Sequence, residues 1–194
     1  MADVRIGGSA SLRSLTHPTN YVLRWQDDQS MKTLLLLRHA KSSWKQPGLA
    51  DHDRPLNARG KADAPAIGEL IEQHDLVPDA IITSTAKRAS KTARKVAAAC
   101  GFERKIKKSR NLYMAGPAEY IGALRTHGEP HDRVMLVGHN PGIEEFVHQL
   151  TDQDEVMPTA ALAEIALPIE DWEQLSYATR GELRNLWRPR ELDA

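Results

Sequence analysis

Short apolar runs alternate along the chain with longer segments that repeat apolar residues at helical spacing. The first run, at residues 33–37, contains four consecutive leucines, which predicts a strand that is buried on both faces. Further strands are predicted at 80–83 and 134–137, with a weaker one at 105–109. This alternation of strands and helices is typical of an α/β fold with a mainly parallel sheet.

Helical segments follow the predicted strands. Asn57 is suited to cap a helix that runs to about residue 73, within which Pro65 is expected to cause a kink or a new start. A second helix is predicted at 85–100, with Thr85 as its N-cap and a narrow apolar stripe facing inward.

The second half of the chain continues the pattern. Helices are predicted from Pro117 to about residue 125, and from Pro141 through the apolar positions up to Leu150. Apolar and polar residues then alternate at 161–167 and 181–187, as in half-exposed edge strands. Together these elements predict one domain over residues 31–192.

The first thirty residues lack this periodicity and end in a polar stretch at 26–30. We interpret residues 1–30 as an N-terminal extension outside the fold, either disordered or a mis-assigned start that precedes Met31. The extension has no continuous apolar stretch of the signal-peptide type.

Composition narrows the class of protein. Apolar residues make up 41% of the chain, which is enough for a core, and no stretch approaches the length of a membrane span. The 26 Lys and Arg residues balance 26 Asp and Glu residues, which argues against a general nucleic-acid binder. Cys100 is the single cysteine, so an internal disulfide and a multi-cysteine zinc site are excluded. We therefore expect a cytoplasmic protein that binds neither nucleic acid nor membrane.

Although the net charge of the chain is zero, one segment is strongly basic. Residues 87–110 contain ten Lys or Arg residues against Glu103 alone. Phe102 is the only aromatic residue there, so the stacking platform of a single-stranded nucleic-acid site is missing. The segment is either an ordinary solvated helix face or a positive rim that attracts an acidic, phosphorylated protein.

Basic and hydrogen-bonding residues follow three of the predicted strands. Because parallel strands end at the same edge of a sheet, their side chains should meet there. Three guanidinium groups and two imidazoles, with no obligatory acid partner, suit a phosphate dianion, and each charge-assisted bond contributes roughly 1.5 to 3 kcal/mol. The residues are Arg38, His39, Ser84, Arg88, His139 and Asn140, with Arg54 in the loop after the first strand.

Four motifs resemble those of the histidine phosphatase superfamily, in the family's order and spacing. They are "LLLLRHAKS", "DRPLNARG", "TSTAKRASKTA" and "VMLVGHNPGI". With the closing "RPREL" at 188–192, the chain most resembles the small SixA-type phosphohistidine phosphatases. The resemblance covers residues 31–192 and implies a three-layer α/β/α fold with antiparallel C-terminal edge strands.

The resemblance also implies roles. His39 would be the nucleophile that takes the phosphoryl group, Arg38, Arg54 and Arg88 would bind it, and His139 would contact it from the other side. The family needs no metal ion or cofactor. We expect the second ring nitrogen of His39 to donate to a backbone carbonyl, and His139 to stabilise the transferring group if it is protonated. Ser84 and Asn140 are further candidate substrate-binding residues.

One departure from the family pattern bears on the substrate. Larger members supply a carboxylic acid that protonates the leaving group, but here Asn140 follows the second histidine and residues 111–117 contain no carboxylate. An imidazole leaving group has an ordinary pKa of about 6.5 and can take up its proton before it leaves. The missing acid therefore favours phosphohistidine on a partner such as a histidine-containing phosphotransfer domain. The alternatives are a broad phosphatase for small phosphorylated molecules and a phosphoprotein-binding module without turnover.

Simpler interpretations stay open for several residues. The role of Arg54 could be limited to an ion pair with Asp51 or Asp53. The role of Asn140 could be limited to capping the following helix. His127 and His131 are four residues apart, but Gly128 and Pro130 break the helix that would place both on one face to hold a metal ion. Cys100 is interpreted as a core or helix-end residue. His52, His74 and His148 are interpreted as surface residues.

Overall fold

A computed structural model describes residues 31–192 of the protein, and the predicted extension at 1–30 lies outside this range. The described chain forms one six-stranded sheet with helices on both faces. The strands are β1 (Lys32–Arg38), β2 (Ala80–Ser84), β3 (Lys107–Ser109), β4 (Arg133–Gly138), β5 (Leu162–Leu167) and β6 (Glu182–Trp187).

In the part of the chain that the structure describes, five α-helices connect or follow the strands. They are α1 (Ala58–Gln73), α2 (Lys87–Ala99), α3 (Pro117–His127), α4 (Gly142–Thr151) and α5 (Pro189–Leu192), with 3₁₀ turns at Asp51–Asp53, Arg110–Leu112 and Trp172–Gln174. Within the described range, no helix combines the length and apolar character needed to cross a membrane.

The first strand is central to the sheet. The strand order is β3-β2-β4-β1-β5-β6, and β1 pairs in parallel with β4 and antiparallel with β5. β2 is parallel to both of its neighbours, β3 and β4, whereas β6 is antiparallel to β5. The prediction of a mainly parallel sheet with antiparallel C-terminal strands is confirmed.

The four leucines of β1 supply both faces of the core. Leu34 and Leu36 join the apolar cluster that contains α3 and α4, whereas Leu35 and Leu37 join the cluster that contains α1 and α2. All four are fully buried, because successive side chains of a strand point to opposite faces. The three-layer α/β/α arrangement is confirmed, and it explains why the run of leucines has no polar interruption.

The prediction that residues 161–167 form a half-exposed edge strand is wrong. β5 lies between β1 and β6, and all six of its residues are buried. The polar position that suggested an exposed face is Glu164, whose carboxylate accepts a hydrogen bond of 2.7 Å from the Asn185 amide in β6. A paired buried carboxylate can thus mimic the alternation of an edge strand. β6 is the edge strand on this side.

The start of α2 and the course of α1 at Pro65 are the points at which the helices differ from prediction. α2 begins at Lys87 and Thr85 does not cap it; the amide of Ala86 donates instead to the Ser84 hydroxyl. α1 continues through Pro65 without a new start, and Asn57 caps it by accepting from the amide of Gly60 at 2.8 Å. The predicted cap at Asn57 is therefore confirmed.

Gly68 permits the close contact of α1 with α2. A β-carbon at Gly68 would lie 2.5 Å from Cβ of Ala99 and 2.6 Å from the carbonyl oxygen of Val96. We expect Gly68→Ala to lower the free energy of unfolding by about 2 kcal/mol, because overpacking outweighs the gain in helix propensity. Urea unfolding would measure the change.

Gly122 provides the matched control, since it also lies inside a helix but has nothing within 4 Å of the added carbon. Gly122→Ala should stabilise the protein by roughly 0.5 to 1 kcal/mol. Equal effects of the two substitutions would contradict the proposed crowding between α1 and α2.

Candidate active site

The predicted residues converge at the carboxyl edge of the parallel strands. His39 follows β1, His139 follows β4, Ser84 ends β2, and Arg88 lies in the first turn of α2. The rings of His39 and His139 are 4.9 Å apart between centroids, and both residues are buried. Residues far apart in sequence therefore line one site.

Hydrogen bonds fix the ring of His39. Nδ1 lies 2.8 Å from the carbonyl oxygen of Ala40, an acceptor that requires the proton on Nδ1, as the sequence predicts. The amide of Ala40 in turn donates to the Thr92 hydroxyl of α2. The lone pair of His39 is consequently on Nε2, which faces Arg88.

The electrostatic environment keeps His39 neutral. Burial lowers the pKa of His39 to about 3; the hydrogen bond to Ala40 partly opposes this shift, and the neighbouring His139 ring and the charges of Arg88 and Arg38 add to it. An imidazole can attack phosphorus only when it is unprotonated. His39 is therefore uncharged at neutral pH, as a nucleophilic histidine would have to be.

Arg88 uses all three of its nitrogen atoms. Nε donates to Nε2 of His39 at 3.1 Å, Nη1 donates to the carbonyl oxygen of Asp51 at 2.6 Å, and Nη2 donates to the carboxylate of Asp51 at 2.9 Å. The side chain is buried although it is charged. For His39 to bond phosphorus, the hydrogen bond from Arg88 has to leave Nε2, which frees that N–H for a phosphoryl oxygen.

Ser84 and Tyr120 both form hydrogen bonds with His139. Its Nε2 lies 2.9 Å from the Ser84 hydroxyl, and its amide donates to the Tyr120 hydroxyl at 3.3 Å. A side chain at Gly138 would lie 2.5 Å from that hydroxyl, which explains the glycine before the histidine. Ser84, a predicted substrate-binding residue, is fully buried and contacts His139.

The protonation expected for His139 needs a ligand. Burial, followed by the charge of Arg88, lowers the pKa of His139 to about 3, so the ring is neutral in the free protein. The negative charge of a phosphoryl group would have to raise this pKa before His139 could act as a cation.

Arg38 and Asn140 both donate to one carbonyl group. Nη1 of Arg38 lies 2.7 Å from the Met157 oxygen, and Nδ2 of Asn140 lies 3.2 Å from it. The interpretation of Asn140 as a helix cap is wrong, because Pro141 occupies the N-cap position of α4 and no side chain caps that helix. Asn140 instead links β4 to the loop before β5.

The loop that supplies this carbonyl group is fastened by the C-terminal motif. Arg188 donates through Nε to the Val156 carbonyl oxygen at 3.1 Å and through Nη2 to the carboxylate of Glu155 at 2.6 Å. The first residue of "RPREL" thus positions the chain that holds Arg38. The motif itself, as a sequence, gives no sign of this role.

Arg54 is buried and makes three hydrogen bonds to protein groups. It donates to the Ser43 carbonyl at 3.2 Å, to the Ser42 hydroxyl at 2.6 Å and to the Asp51 carboxylate at 2.7 Å. The ring of Trp44 covers its guanidinium at 3.1 Å from the centroid. The alternative that Arg54 pairs with Asp51 is therefore confirmed, and this pairing brings it beside Arg88.

Asp51 is the principal residue that sequence analysis missed. The expectation of a site with no acid partner is wrong, because its carboxylate accepts from Arg54, Arg88 and Tyr113. Burial acts to raise the pKa of Asp51, but these three hydrogen bonds outweigh it and lower the pKa to about 2. The available signal was its position three residues before Arg54.

His52 and Tyr113 complete this side of the site. Nε2 of His52 lies 3.0 Å from the Thr85 hydroxyl, and the His52 ring meets the edge of Tyr113 at 5.1 Å. Tyr113 also lies 5.7 Å from His139 between ring centroids. His52, which was interpreted as a surface residue, keeps a side chain that is 34% exposed, and the 3₁₀ turn that contains Asp51 places this side chain against Thr85 and Tyr113.

The arrangement is suited to bind an oxyanion. Nε of Arg38 and Nδ1 of His139 are buried and have no hydrogen-bond partner among the described residues, although buried polar atoms are normally paired. These atoms, together with the donors of Arg88, could bind phosphoryl oxygens. Among residues 31–192, no group of three or more His, Cys, Asp or Glu side chains is arranged to hold a metal ion.

Comparison with known proteins agrees with this geometry. Residues 34–113 match the model of the histidine phosphatase superfamily, branch 1. An uncharacterized chloroplastic protein of Arabidopsis thaliana is 32% identical over 152 residues, which cover 74% of this chain and 70% of the relative.

A solved structure gives the type within the superfamily. A candidate phosphohistidine phosphatase SixA from Agrobacterium tumefaciens superposes with a TM-score of 0.70 and 30% identity, over 81% of this chain and 98% of its own. The chain belongs to the histidine phosphatase superfamily and is of the SixA type.

Phosphoglycerate mutases also match part of the chain. The 2,3-bisphosphoglycerate-dependent enzyme of Mycobacterium leprae is 43% identical over 63 residues, which cover 31% of this chain and 26% of the mutase. Membership of the superfamily therefore supports phosphatase or mutase chemistry, and the substrate has to be argued from the site itself.

The two buried neutral histidines should make stability depend on pH. In the unfolded chain each binds a proton below a pKa of about 6.5, whereas the folded protein keeps each pKa at about 3. The unfolded state then binds more protons, so the free energy of unfolding should fall as the pH decreases from about 6.5 towards 3.

Urea unfolding between pH 7 and pH 4 would measure this effect. In His39→Gln the slope should be smaller by up to about 1.4 kcal/mol per pH unit, because one proton-linked group is gone. The exposed His148 provides the control, and His148→Gln should keep the slope of the unmodified protein. An unchanged slope in His39→Gln would contradict the neutral buried histidine.

Asp51 should act by positioning the two arginines. We expect Asp51→Asn to lower kcat/KM for phosphoramidate by about 10- to 100-fold, because Arg54 and Arg88 lose the carboxylate that orients them. Asp53→Asn should have little effect, since Asp53 contacts His52 and neither arginine. Steady-state kinetics would compare the variants, and equal rates for Asp51→Asn and the unmodified protein would exclude the positioning role.

Proposed function

We propose that the protein hydrolyses phosphohistidine on a partner protein, through a covalent phosphohistidine intermediate on His39 and without a metal ion. The partner would be a phosphorylated protein of the histidine-containing phosphotransfer type. The observation that supports this proposal best is that the carboxylate of Asp51, which lies in the site, is ionised at neutral pH.

Asp51 is the only carboxylate that hydrogen-bonds a predicted site residue within residues 31–192. Its pKa of about 2 means that it has no proton to donate at neutral pH. An alkoxide leaving group needs a proton donor, whereas the imidazole of phosphohistidine departs as a neutral ring once its other nitrogen is protonated. The site is therefore better suited to a P–N bond than to a phosphomonoester.

The geometry of His39 suits both half-reactions. In the first, the lone pair of Nε2 attacks phosphorus in line, the substrate P–N bond breaks, and Arg38, Arg88 and His139 bind the equatorial oxygens. Nδ1 keeps its proton and donates it in a hydrogen bond to the carbonyl oxygen of Ala40. The new phosphohistidine therefore also has a neutral imidazole as its leaving group. Water then attacks phosphorus, inorganic phosphate departs, and Nε2 regains its lone pair.

The match to phosphoglycerate mutases favours a second candidate, namely action on small phosphorylated molecules. In that case another group would have to protonate the alkoxide. Tyr113 is one donor near Asp51, but burial and then the hydrogen bond to that carboxylate hold the pKa of Tyr113 above its ordinary value. A phenol with a raised pKa is a poor acid at neutral pH, so we rank this candidate lower.

A substrate panel would test the proposal. In the presence of chelator, a phosphohistidine-bearing phosphotransfer domain should lose its phosphate at least about 100-fold faster than sugar or nucleotide monoesters, because the missing acid penalises only the esters. His39→Ala should abolish turnover, and acid-labile phosphate should be trapped on His39 of the unmodified enzyme.

The matched control is His148→Ala, which removes an exposed histidine and should keep full activity. Preference for an ester would favour the second candidate. Phosphate-dependent binding without turnover would leave only a phosphoprotein-binding module.

A further inference from the structure

The loops around the active site carry an unusual share of the exposed apolar surface. Six large apolar side chains are exposed in residues 31–192, and four of them lie in loops at the carboxyl edge of the parallel strands. Single exposed apolar residues need no explanation, but a group of them around one site does. The four are Trp44, Leu49, Met114 and Val156.

Three of these residues lie one contact away from the phosphate-binding groups. Trp44 covers the guanidinium of Arg54. Met114 follows Tyr113, which hydrogen-bonds Asp51, and Val156 precedes Met157, which accepts from Arg38. Trp44, Met114 and Val156 come from three different loops and are 73%, 81% and 69% exposed. We call these three residues the apolar rim.

The backbone of Met114 adds an independent observation. Its φ angle is 56°, in the left-handed region that glycine and asparagine tolerate best. A methionine at such a position costs folding energy and, at 81% exposure, gains almost no burial in return. A strained backbone that presents an exposed methionine is better explained by contact with a partner, since methionine adapts to irregular apolar surfaces.

Positive charge borders the apolar rim on one side. Lys45 is next to Trp44, Lys87 and Lys91 lie at the start of α2, and Arg110 follows β3. All four are exposed, and none forms an ion pair with another residue of the described range. These cations, which we call the basic flank, would attract a partner with carboxylates around its phosphorylated residue.

We propose that the apolar rim and the basic flank form a docking surface for the protein that presents phosphohistidine, an acidic domain with apolar residues around the modified ring. This inference rests on the proposed function and adds the surface that recognises its substrate. A small phosphorylated molecule held between His39 and His139 could not cover three exposed side chains from three loops. A folded domain could cover all three while its phosphohistidine enters the site.

Two substrates separate docking from chemistry. The first is an isolated histidine-containing phosphotransfer domain phosphorylated with potassium phosphoramidate, and the second is phosphoimidazole. The double variant Met114→Asn with Val156→Thr removes apolar surface while asparagine keeps the left-handed backbone. Its kcat/KM for the domain should fall roughly tenfold, with kcat/KM for phosphoimidazole unchanged, because only the domain reaches the rim.

Tyr177 is a matched control for the rim. It is 58% exposed and lies in the loop between β5 and β6, at the opposite edge of the sheet, where Leu167 pairs with Lys32. Tyr177→Ser should leave both substrates unaffected. If the rim variant and Tyr177→Ser hydrolyse the domain equally well, the docking surface is overturned.

The basic flank is tested separately by salt dependence. Lys91→Glu should lower kcat/KM for the domain and weaken its dependence on ionic strength, because an attractive charge has become repulsive. Arg125→Glu, in the last turn of α3 away from this edge, should change neither. Equal salt dependence of both variants would remove the basic flank from the proposal.

The two substrates distinguish a failure of the proposed hydrolysis from a failure of the docking surface. If the unmodified protein hydrolyses neither the domain nor phosphoimidazole, the proposed function fails and this inference fails with it. If it hydrolyses both and the rim variants change neither rate, the proposed function stands and the docking surface alone is wrong.

Discussion

The hydrogen bond between Nδ1 of His39 and the carbonyl oxygen of Ala40 is the interaction on which the site depends. It places the proton on one ring nitrogen and so leaves the lone pair on the other, facing Arg88. The backbone that supplies the carbonyl is itself held, because the Ala40 amide donates to Thr92 of α2 and β1 is paired on both sides. A central strand with two buried faces is thus what gives the His39 ring a fixed orientation.

The balance of charge in the site is the second constraint. Two buried guanidinium groups next to two imidazoles would repel one another, and the carboxylate of Asp51 offsets this repulsion by bridging Arg54 and Arg88. Asp51 holds Nη1 and Nη2 of Arg88 through its carbonyl oxygen and its carboxylate, so Nε is the donor that would have to change partner for a phosphoryl group.

Much of the architecture could be predicted from sequence, because it follows from periodicity. The leucines of β1 indicated a strand with two buried faces, and the residues after β1, β2 and β4 could be expected to meet because parallel strands end at one edge. β5 was misjudged because Glu164 imitates an exposed position, while its hydrogen bond to Asn185 is a tertiary contact that no local pattern contains.

The residues that sequence analysis missed share a physical reason. Asp51, His52 and Tyr113 lie in loops or short turns, whose path depends on contacts with distant segments. The spacing of Asp51 from Arg54 gave a hint of a local ion pair, but the contacts of Asp51 with Arg88 and Tyr113 span 37 and 62 positions of sequence. Such convergence is determined by the whole fold.

The hydrogen bonds of Arg188 to Glu155 and Val156 make the position of Arg38 depend on the C-terminal segment. Arg38 precedes His39, and the carbonyl oxygen to which it donates belongs to Met157, next to the two residues that Arg188 contacts. Loss of the final segment, whether by cleavage or by a premature stop codon, would therefore loosen the contacts of an arginine about 150 positions upstream. The C-terminal segment is thus a support for the candidate site, although it lies at the far end of the sequence.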